Sequence, residues 1–316
     1  MKRDSKKSSD QSRGAVGFDA YYLQLWGERW PTLRSALLSE AAKFKFENPF
    51  ARSTDVVSPT SALRPIYELD PASVLVARLI GARPGERVLD MCAAPGGKSL
   101  VQIFDAESPP TTTAASADPT ADHIAERTEW WLNDLSPDRV FRLKKVMAEH
   151  LPDSVYRHLR VSAFDASQFG LHKAAFFDRI LLDAPCSGER HMLENEKALA
   201  DWGPQRSKGL ASRQYSLLCS AELALRPGGR LVYSTCTISN LENDDVIARF
   251  FERRARKKLP ASLRVLSLDE ILGDQALSTW VRSQRLELEP TKHGFYILPD
   301  RSFAAGPMYF SVLEKI

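Results

Sequence analysis

RVLDMCAAPGGKSL, residues 87 to 100, sets a short apolar run against an abrupt turn of small residues. Val88 and Leu89 suit a buried strand and Asp90 ends it. Cys92, Ala93, Ala94, Pro95, Gly96 and Gly97 then add little side-chain bulk before Lys98 and the next apolar residues. The pattern predicts a strand, a tight loop and a helix. Small residues let backbone N–H groups approach a ligand, and a helix N-terminus favours an anion. Two familiar nucleotide loops fit poorly. A phosphate-binding loop ending in Gly97, Lys98 and Ser99 needs glycine where Cys92 stands, and the dinucleotide fingerprint needs three spaced glycines where only Gly96 and Gly97 occur. An ordinary strand-to-helix turn is the plainer alternative, so the rest of the chain must decide.

The chain has 316 residues, 43% apolar and 26% charged, enough for one large α/β domain with a smaller attachment. A formal charge of +3 says little about partners; where the basic residues cluster says more. The four cysteines, at 92, 186, 219 and 236, show no zinc or dithiol spacing and are expected as reduced thiols. The six histidines form no metal-ligand pattern, so no metal is expected. No apolar stretch approaches the roughly 20 residues that span a bilayer, so no membrane association is expected. Residues 1–17 read as a disordered basic tail without a secretory core. The tail's acidic residues favour a cytoplasmic location, with the mitochondrion as the alternative.

Residues 18–64 read as a helical N-terminal extension in which PTLRSALLSEAAKF, 31 to 44, predicts a helix. Residues 65–316 form the main domain, interrupted by a flexible Ser, Thr, Ala and Pro-rich insertion at about 105–127. A helix at 70 to 82 leads into the first strand. TEWWLND (128 to 134) is a second strand, followed by a helix capped by Ser136 and running to about Leu151. RVSAF (160 to 164), FDRILLDAP (177 to 185) and GRLVYSTC (229 to 236) complete the strands, with RPGG (226 to 229) as a turn before the last. Strands alternating with helices predict an α/β fold with a doubly wound, Rossmann-like sheet, whose ligands bind beyond the carboxyl ends of the strands. Those ends carry Cys92 and Gly96, then Asp134, Asp165, Asp183 with Cys186, and Cys236. A single loop aspartate is commonly a cap. Five ends converging on one crevice make a shared site the stronger reading.

An acidic residue ending the second strand is the usual partner of ribose hydroxyls, and Asp134 fits. Asp165 is the candidate for an adenine amino group. The ligand so described is an adenosine with a non-phosphate tail, which suits S-adenosylmethionine better than ATP or NAD. Cys186 and Cys236 supply the chemistry, because a thiolate of lowered pKa is a nucleophile. Spacing alone does not say which of them attacks. Cys219, amid Leu217, Leu218, Leu223 and Leu225, reads as core.

DMCAAPGGK, NDLSPDR, DAPCSGE and YSTC, in this order, resemble the motifs of the Nop/Sun-type, RsmB-like RNA cytosine-5 methyltransferases. FDAYYLQLWGERWPTLRSALLSE and GPMYF resemble more particularly the mitochondrial ribosomal RNA branch of that family, although DAPCSGE reads more like the common bacterial form. The resemblance implies a class I S-adenosylmethionine-dependent methyltransferase acting on carbon 5 of cytosine in RNA. It places Cys92 to Lys98 in the cofactor loop, Asp134 and Arg139 on the ribose side, Asp165 at the adenine, and Asp183 between cofactor and base. It makes Cys236 the nucleophile on carbon 6 and Cys186 the group that helps release the product.

RNA bound in this way must present an unstacked base, with affinity from phosphate contacts. Arg190, His191, Arg206, Lys208 and Arg213 are the nearer candidates for those contacts, while the run Arg253 to Lys258 reads as a solvated helix face. Ribosomal RNA, or a ribosomal subunit, is the expected substrate, with a protein partner for targeting as a further possibility. Transfer RNA is the alternative substrate. The rival functions are an idle RNA-binding assembly factor and a DNA cytosine methyltransferase in which the Pro-Cys thiol attacks.

Overall fold

The computed structural model of the protein describes residues 13–52, 63–107 and 127–316. The basic tail up to residue 12 and the insertion from 108 to 126 lie outside the described residues.

The chain opens with α1 (Gly14–Trp26), which starts inside the segment expected as tail, and α2 (Trp30–Leu38), with Pro31 in its first turn. The helix expected to reach residue 44 stops at Leu38. Phe44–Glu47 is instead β1, paired antiparallel with β2 (Ile66–Leu69), Phe44 opposite Leu69. This two-stranded sheet therefore joins residues on both sides of the boundary drawn at residue 64. Then α3 (Pro71–Arg78) starts where the Asp70 carboxylate accepts from the Ala72 N–H.

The main sheet begins with β3 (Arg87–Asp90), which feeds α4 (Gly97–Glu107). Next come β4 (Glu129–Asp134), α5 (Pro137–His150), capped by Ser136 as expected, and β5 (Leu159–Ala163). They are followed by β6 (Phe177–Asp183), α6 (Glu189–Glu194), α7 (Pro204–Ala224), β7 (Leu225–Thr235) and α8 (Asp244–Arg256). The last strands are β8 (Leu263–Val265), β9 (Glu289–Pro290), β10 (Phe295–Ile297) and β11 (Met308–Lys315).

Their order is β5-β4-β3-β6-β7-β11-β10-β9, with β8 pairing off β11. The first five are parallel, and β11 runs antiparallel to β7. Successive strands go to one side of β3 and then to the other, which is the topological switch point where α/β sheets open a crevice. One sequence expectation fails here. Arg226 to Gly229 lies inside β7, where the register against β6 jumps from Phe177 opposite Leu225 to Arg179 opposite Arg230. The glycines make a bulge, not a turn before the strand.

Strand residues alternate between two buried layers, as in a sheet covered on both faces. Val88, Trp130 and Leu181 pack with α4, while Leu89, Ile180 and Leu182 pack with α7 and with the N-terminal helices. Trp130 is buried and donates to Glu107, and its neighbour Trp131 lies under Arg160 and Lys173. The N-terminal helices are cemented to this second layer. Tyr22 stacks on Trp30 at 5.0 Å, and Phe18 meets Trp202 edge-on at 5.4 Å. Arg29 reaches across to Asp300 and Glu289 with two hydrogen bonds each.

Truncating Phe18 to Ala leaves a hole in the middle of this aromatic cluster. Urea unfolding should show a loss of about 3–5 kcal/mol. A loss below about 1 kcal/mol would mean that α1 is only loosely attached.

Candidate active site

The carboxyl ends of the parallel strands open on a cleft of about 470 Å³ whose wall includes Met91, Cys92, Asp134, Arg139, Asp183, Cys186, Arg213 and Cys236. Of the predicted loop, Cys92 faces the cleft, whereas Ala93, Ala94, Pro95, Gly96, Gly97 and Lys98 are not part of that wall. The two glycines are needed for packing. Gly96 has φ +119°, and a Cβ there would sit 2.6 Å from Met147 of α5. A Cβ on Gly97 would sit 2.8 Å from the ring of Tyr67. The loop is held by Ala93 N–H donating to Asn133 at 2.7 Å and by Arg139 donating to the Ala94 carbonyl at 2.6 Å.

Four buried or half-buried acids stand at the strand ends, of which Asp134 and Asp183 line the cleft, and each has a different environment. Asp134 accepts from the Ser136 N–H through Oδ1. Its buried Oδ2 has no hydrogen-bond partner among the described residues, and its nearest cation is Arg139 at 3.3 Å. That oxygen is an acceptor still to be satisfied. Asp165 is already engaged: it caps the turn at Ser167 and takes Arg213 at 2.5 Å, and this pairing holds its carboxyl below the usual range. Ala166 and Arg213 line the cleft, but Asp165 does not. Asp183 receives Lys98 Nζ at 2.7 Å and Ser234 Oγ at 2.8 Å. Burial works against the Lys98 ammonium, but Asp183 more than offsets it and the lysine pKa is raised. Asp90, fully buried, accepts from Ser99 Oγ at 2.7 Å, and burial pushes its carboxyl up to about 7.

The two predicted thiols meet at the mouth of the cleft, with their sulfurs 2.8 Å apart and the Cys236 N–H 3.3 Å from Cys186 Sγ. Both are free thiols. The hydrogen bond to Cys236 and then burial raise the Cys186 pKa well above its usual value, so Cys186 keeps its proton. Cys236 is exposed. It also lines a second cavity of about 330 Å³ that includes Asp70, Ser73, His191 and Met308, and it is common to the walls of both cavities. Burial likewise raises the Cys92 pKa, which makes that thiol a wall and not a nucleophile.

Two expected substrate contacts are used internally. Arg190 donates to the carbonyls of Ser39 and Gly306, and Arg213 holds Asp165. Arg206 and Lys208 are exposed, as are Arg253, Arg256, Lys257 and Lys258 at the end of α8. Cys219, read as core, is only half-buried, beside Tyr215. Sequence reasoning also missed a set of buried partners beneath the thiols, comprising Tyr22, Glu189, Glu242 and Asn243. Glu189 stands inside the quoted DAPCSGE, yet spacing carries no sign that a carboxylate will be buried. Among the described residues no group of three or more His, Cys, Asp or Glu is placed to hold a metal ion, and no helix is long and apolar enough to cross a membrane.

A parallel sheet with an antiparallel strand beside β7 and its crevice at β3 is the Rossmann-like class I methyltransferase fold. A methyltransferase homologue protein from Pyrococcus horikoshii shares it, with a TM-score of 0.64 and 20% identity over 96% of this chain and 95% of its own. The pattern of the 16S rRNA methyltransferase RsmB/F family matches residues 77–297, and the chain belongs to that family, as its four motifs implied. The mouse mitochondrial tRNA (cytosine(34)-C(5))-methyltransferase is 33% identical over 261 residues, 81% of this chain and 65% of the relative. Mouse 5-cytosine rRNA methyltransferase NSUN4 is 28% identical over 360 residues, 95% of this chain and 87% of the relative. The chain thus spans just under two thirds of the first relative and most of the second.

Asp90, buried behind the cleft loop, gives the folded state a pH signature. Its carboxyl binds a proton more tightly folded than unfolded, so between about pH 4 and pH 7 the folded state holds more protons and loses stability as pH rises. The slope from one such group approaches about 1.4 kcal/mol per pH unit. Asp90→Asn should flatten the stability profile in that window, as read by thermal unfolding at a series of pH values.

Proposed function

We propose that the protein transfers a methyl group from S-adenosylmethionine to carbon 5 of a cytosine in RNA, through a covalent bond between Cys236 and carbon 6 of the base. The observation that carries this reading is the thiol pair: two free sulfurs 2.8 Å apart, one half-buried, the other exposed and shared by two cavities. One cavity suits the cofactor and the other approaches the nucleophile from the side a base could enter. Family membership supplies the substrate class.

The residues present fit the cofactor. The cleft has the volume of a small-molecule site, and the unsatisfied Asp134 Oδ2 suits a ribose hydroxyl donor. Asp134 and Arg139 would hold the ribose side, Cys92 and Met91 would pack against it, and Asp183, fixed by Lys98, would stand toward the base. Asp165, bound to Arg213, reaches the adenine only as part of that pair. The cofactor supplies a methyl group on a sulfonium, ready to be displaced.

The chain's own residues do the rest. The Cys236 thiolate adds to carbon 6, and the ring electrons make carbon 5 nucleophilic enough to take the methyl group. Carbon 5 then carries a proton and a methyl group. Removal of that proton, assisted by Cys186, restores the double bond as the Cys236–carbon bond breaks and the thiolate leaves. Cys186 keeps its proton while it bonds to Cys236. Once the Cys236 sulfur is taken up by the base, Cys186 gives its proton to solvent and its thiolate takes the proton from carbon 5, which orders the two thiols in time.

Ribosomal RNA is the favoured target, from the family description and the NSUN4 relative. Transfer RNA is the second reading, favoured by the name of the 33% identical relative. That name also supports the mitochondrial alternative, and no relative reported above supports the cytoplasmic expectation. A partner protein or an assembled ribosomal particle would supply the target choice.

Labelled methyl transfer to ribosomal and transfer RNA from cells lacking the protein tests the reading. Wild type should produce 5-methylcytosine, Cys236→Ala should produce none, and Cys186→Ala should accumulate a denaturant-resistant RNA adduct. An adduct that depends on Cys186 instead would reverse the assignment, and no methylation of either RNA or of ribosomal subunits would favour an idle assembly factor. Asp134→Ala should weaken S-adenosylmethionine binding by roughly 10-fold to 100-fold in calorimetry, the loss expected for a charge-assisted hydrogen bond.

A further inference from the structure

We infer that Glu189 is a positioning residue that sets the separation of the two thiols by tying together the residues that follow each of them. The pairing of β6 with β7 cannot do this. Its last contacts are Asp183 opposite Ser234 and the Ala184 N–H donating to Ser234; Thr235 still pairs with Tyr309 of β11, but Cys186 and Cys236 themselves lie beyond the strands. From there the Glu189 carboxylate, with no solvent exposure, takes over. Its Oε1 accepts from Ser187 Oγ at 2.9 Å, Thr237 Oγ1 at 2.6 Å and Tyr22 OH at 2.5 Å, and its Oε2 accepts from the Ile238 N–H at 2.9 Å. Ser187 directly follows Cys186, and Thr237 and Ile238 directly follow Cys236.

Proton counting shows that the charge matters. Ser187 and Thr237 lie 2.9 Å apart and could bond each other, but each hydroxyl has one proton. With both protons donated to Glu189, these two hydroxyls are joined through the carboxylate and not to each other, which adds to the contact of the Cys236 N–H with Cys186 Sγ. Glu242, in the helical turn that follows Cys236, accepts from the Ser187 N–H and from Gln214, a second tie that reaches the Cys186 loop but not Thr237 or Ile238. Among the described residues Glu189 is therefore the side chain whose carboxylate bonds both cysteine loops. Tyr22 of α1 contributes one donor, which brings the N-terminal helix into the same clamp.

A glutamine at this position could satisfy the hydroxyls with its oxygen, but it would set an NH2 group against the Ile238 N–H. The inference rests on the reading of the thiols given above, so its test uses a readout that needs no RNA. In the full chain, diamide accepts the two hydrogens as Cys186 and Cys236 form a disulfide, and mass spectrometry follows the rate. Glu189→Gln should link these thiols roughly tenfold or more slowly than wild type, and Tyr22→Phe about twofold to fivefold more slowly, as expected for one donor lost of several. Alkylation of Cys219 should be unchanged in both. In single-turnover methylation Glu189→Gln should lower the rate of product release with KM for S-adenosylmethionine within about twofold, and should raise the ratio of RNA adduct to product. A loss of packing alone would lower the unfolding temperature without shifting that ratio. Should Glu189→Gln fail to fold, Tyr22→Phe decides. Linking at the wild-type rate in the folded variants overturns the inference even where wild type methylates RNA. Slower linking upholds it even where wild type methylates nothing, which would instead count against the RNA reading.

Discussion

Parallel pairing of β6 and β7 carries two cysteines 50 residues apart to neighbouring strand ends, and the rest of the site depends on that pairing. Neither strand owes its place to the cysteines. Ile180, Leu181 and Leu182 are buried because the sheet is covered on both faces, and Leu231 and Val232 answer them in register. Apolar burial, worth about 25 cal/mol per Å², fixes the two strands; the chemistry is carried by the residues that follow where burial ends.

Beyond the strand ends, polar chemistry replaces apolar packing, and every step has a desolvation cost. Buried Asp90 responds by moving its pKa up to about 7. Asp183 answers with an ion pair to Lys98, and Glu189 with four donors. These are three solutions to one problem: a buried carboxylate must be protonated, paired or fully hydrogen-bonded. Asp134 and Glu242 are exceptions, each with one buried oxygen that has no hydrogen-bond partner among the described residues, and of the two only Asp134 lines the cleft, where a ligand's donor could meet it.

What was legible in the sequence follows from the same division. The strands and caps were readable because they are local: apolar runs end at Asp90, Asp134 and Asp183, and Ser136 caps the helix it precedes. The convergence of Cys92, Asp134, Asp183, Cys186 and Cys236 on one cleft was readable because parallel topology collects strand ends. Long-range packing was not. Gly96 and Gly97 looked like ligand-approach glycines but yield to Met147 and Tyr67. Arg190 and Arg213 looked free for substrate but find partners more than 40 residues away. The bulge at Arg226 to Gly229 looked like a turn because Pro and Gly mark both, and only the strand opposite distinguishes them.

The N-terminal helices show how far such contacts change the meaning of a segment. Residues that read as a helical attachment turn out to bury Phe18, Tyr22 and Trp30 against Trp202, so the aromatic cluster is continuous with the layer under β6 and β7. The same packing that stabilises α1 delivers the Tyr22 hydroxyl to Glu189, 167 residues away in the chain. An aromatic ring held by its apolar face with its hydroxyl on a buried carboxylate joins stability to geometry. Loosening α1 removes a donor from the carboxylate that spans the two cysteine loops. In this chain the integrity of an outer helix and the alignment of two sulfurs are therefore one structural problem.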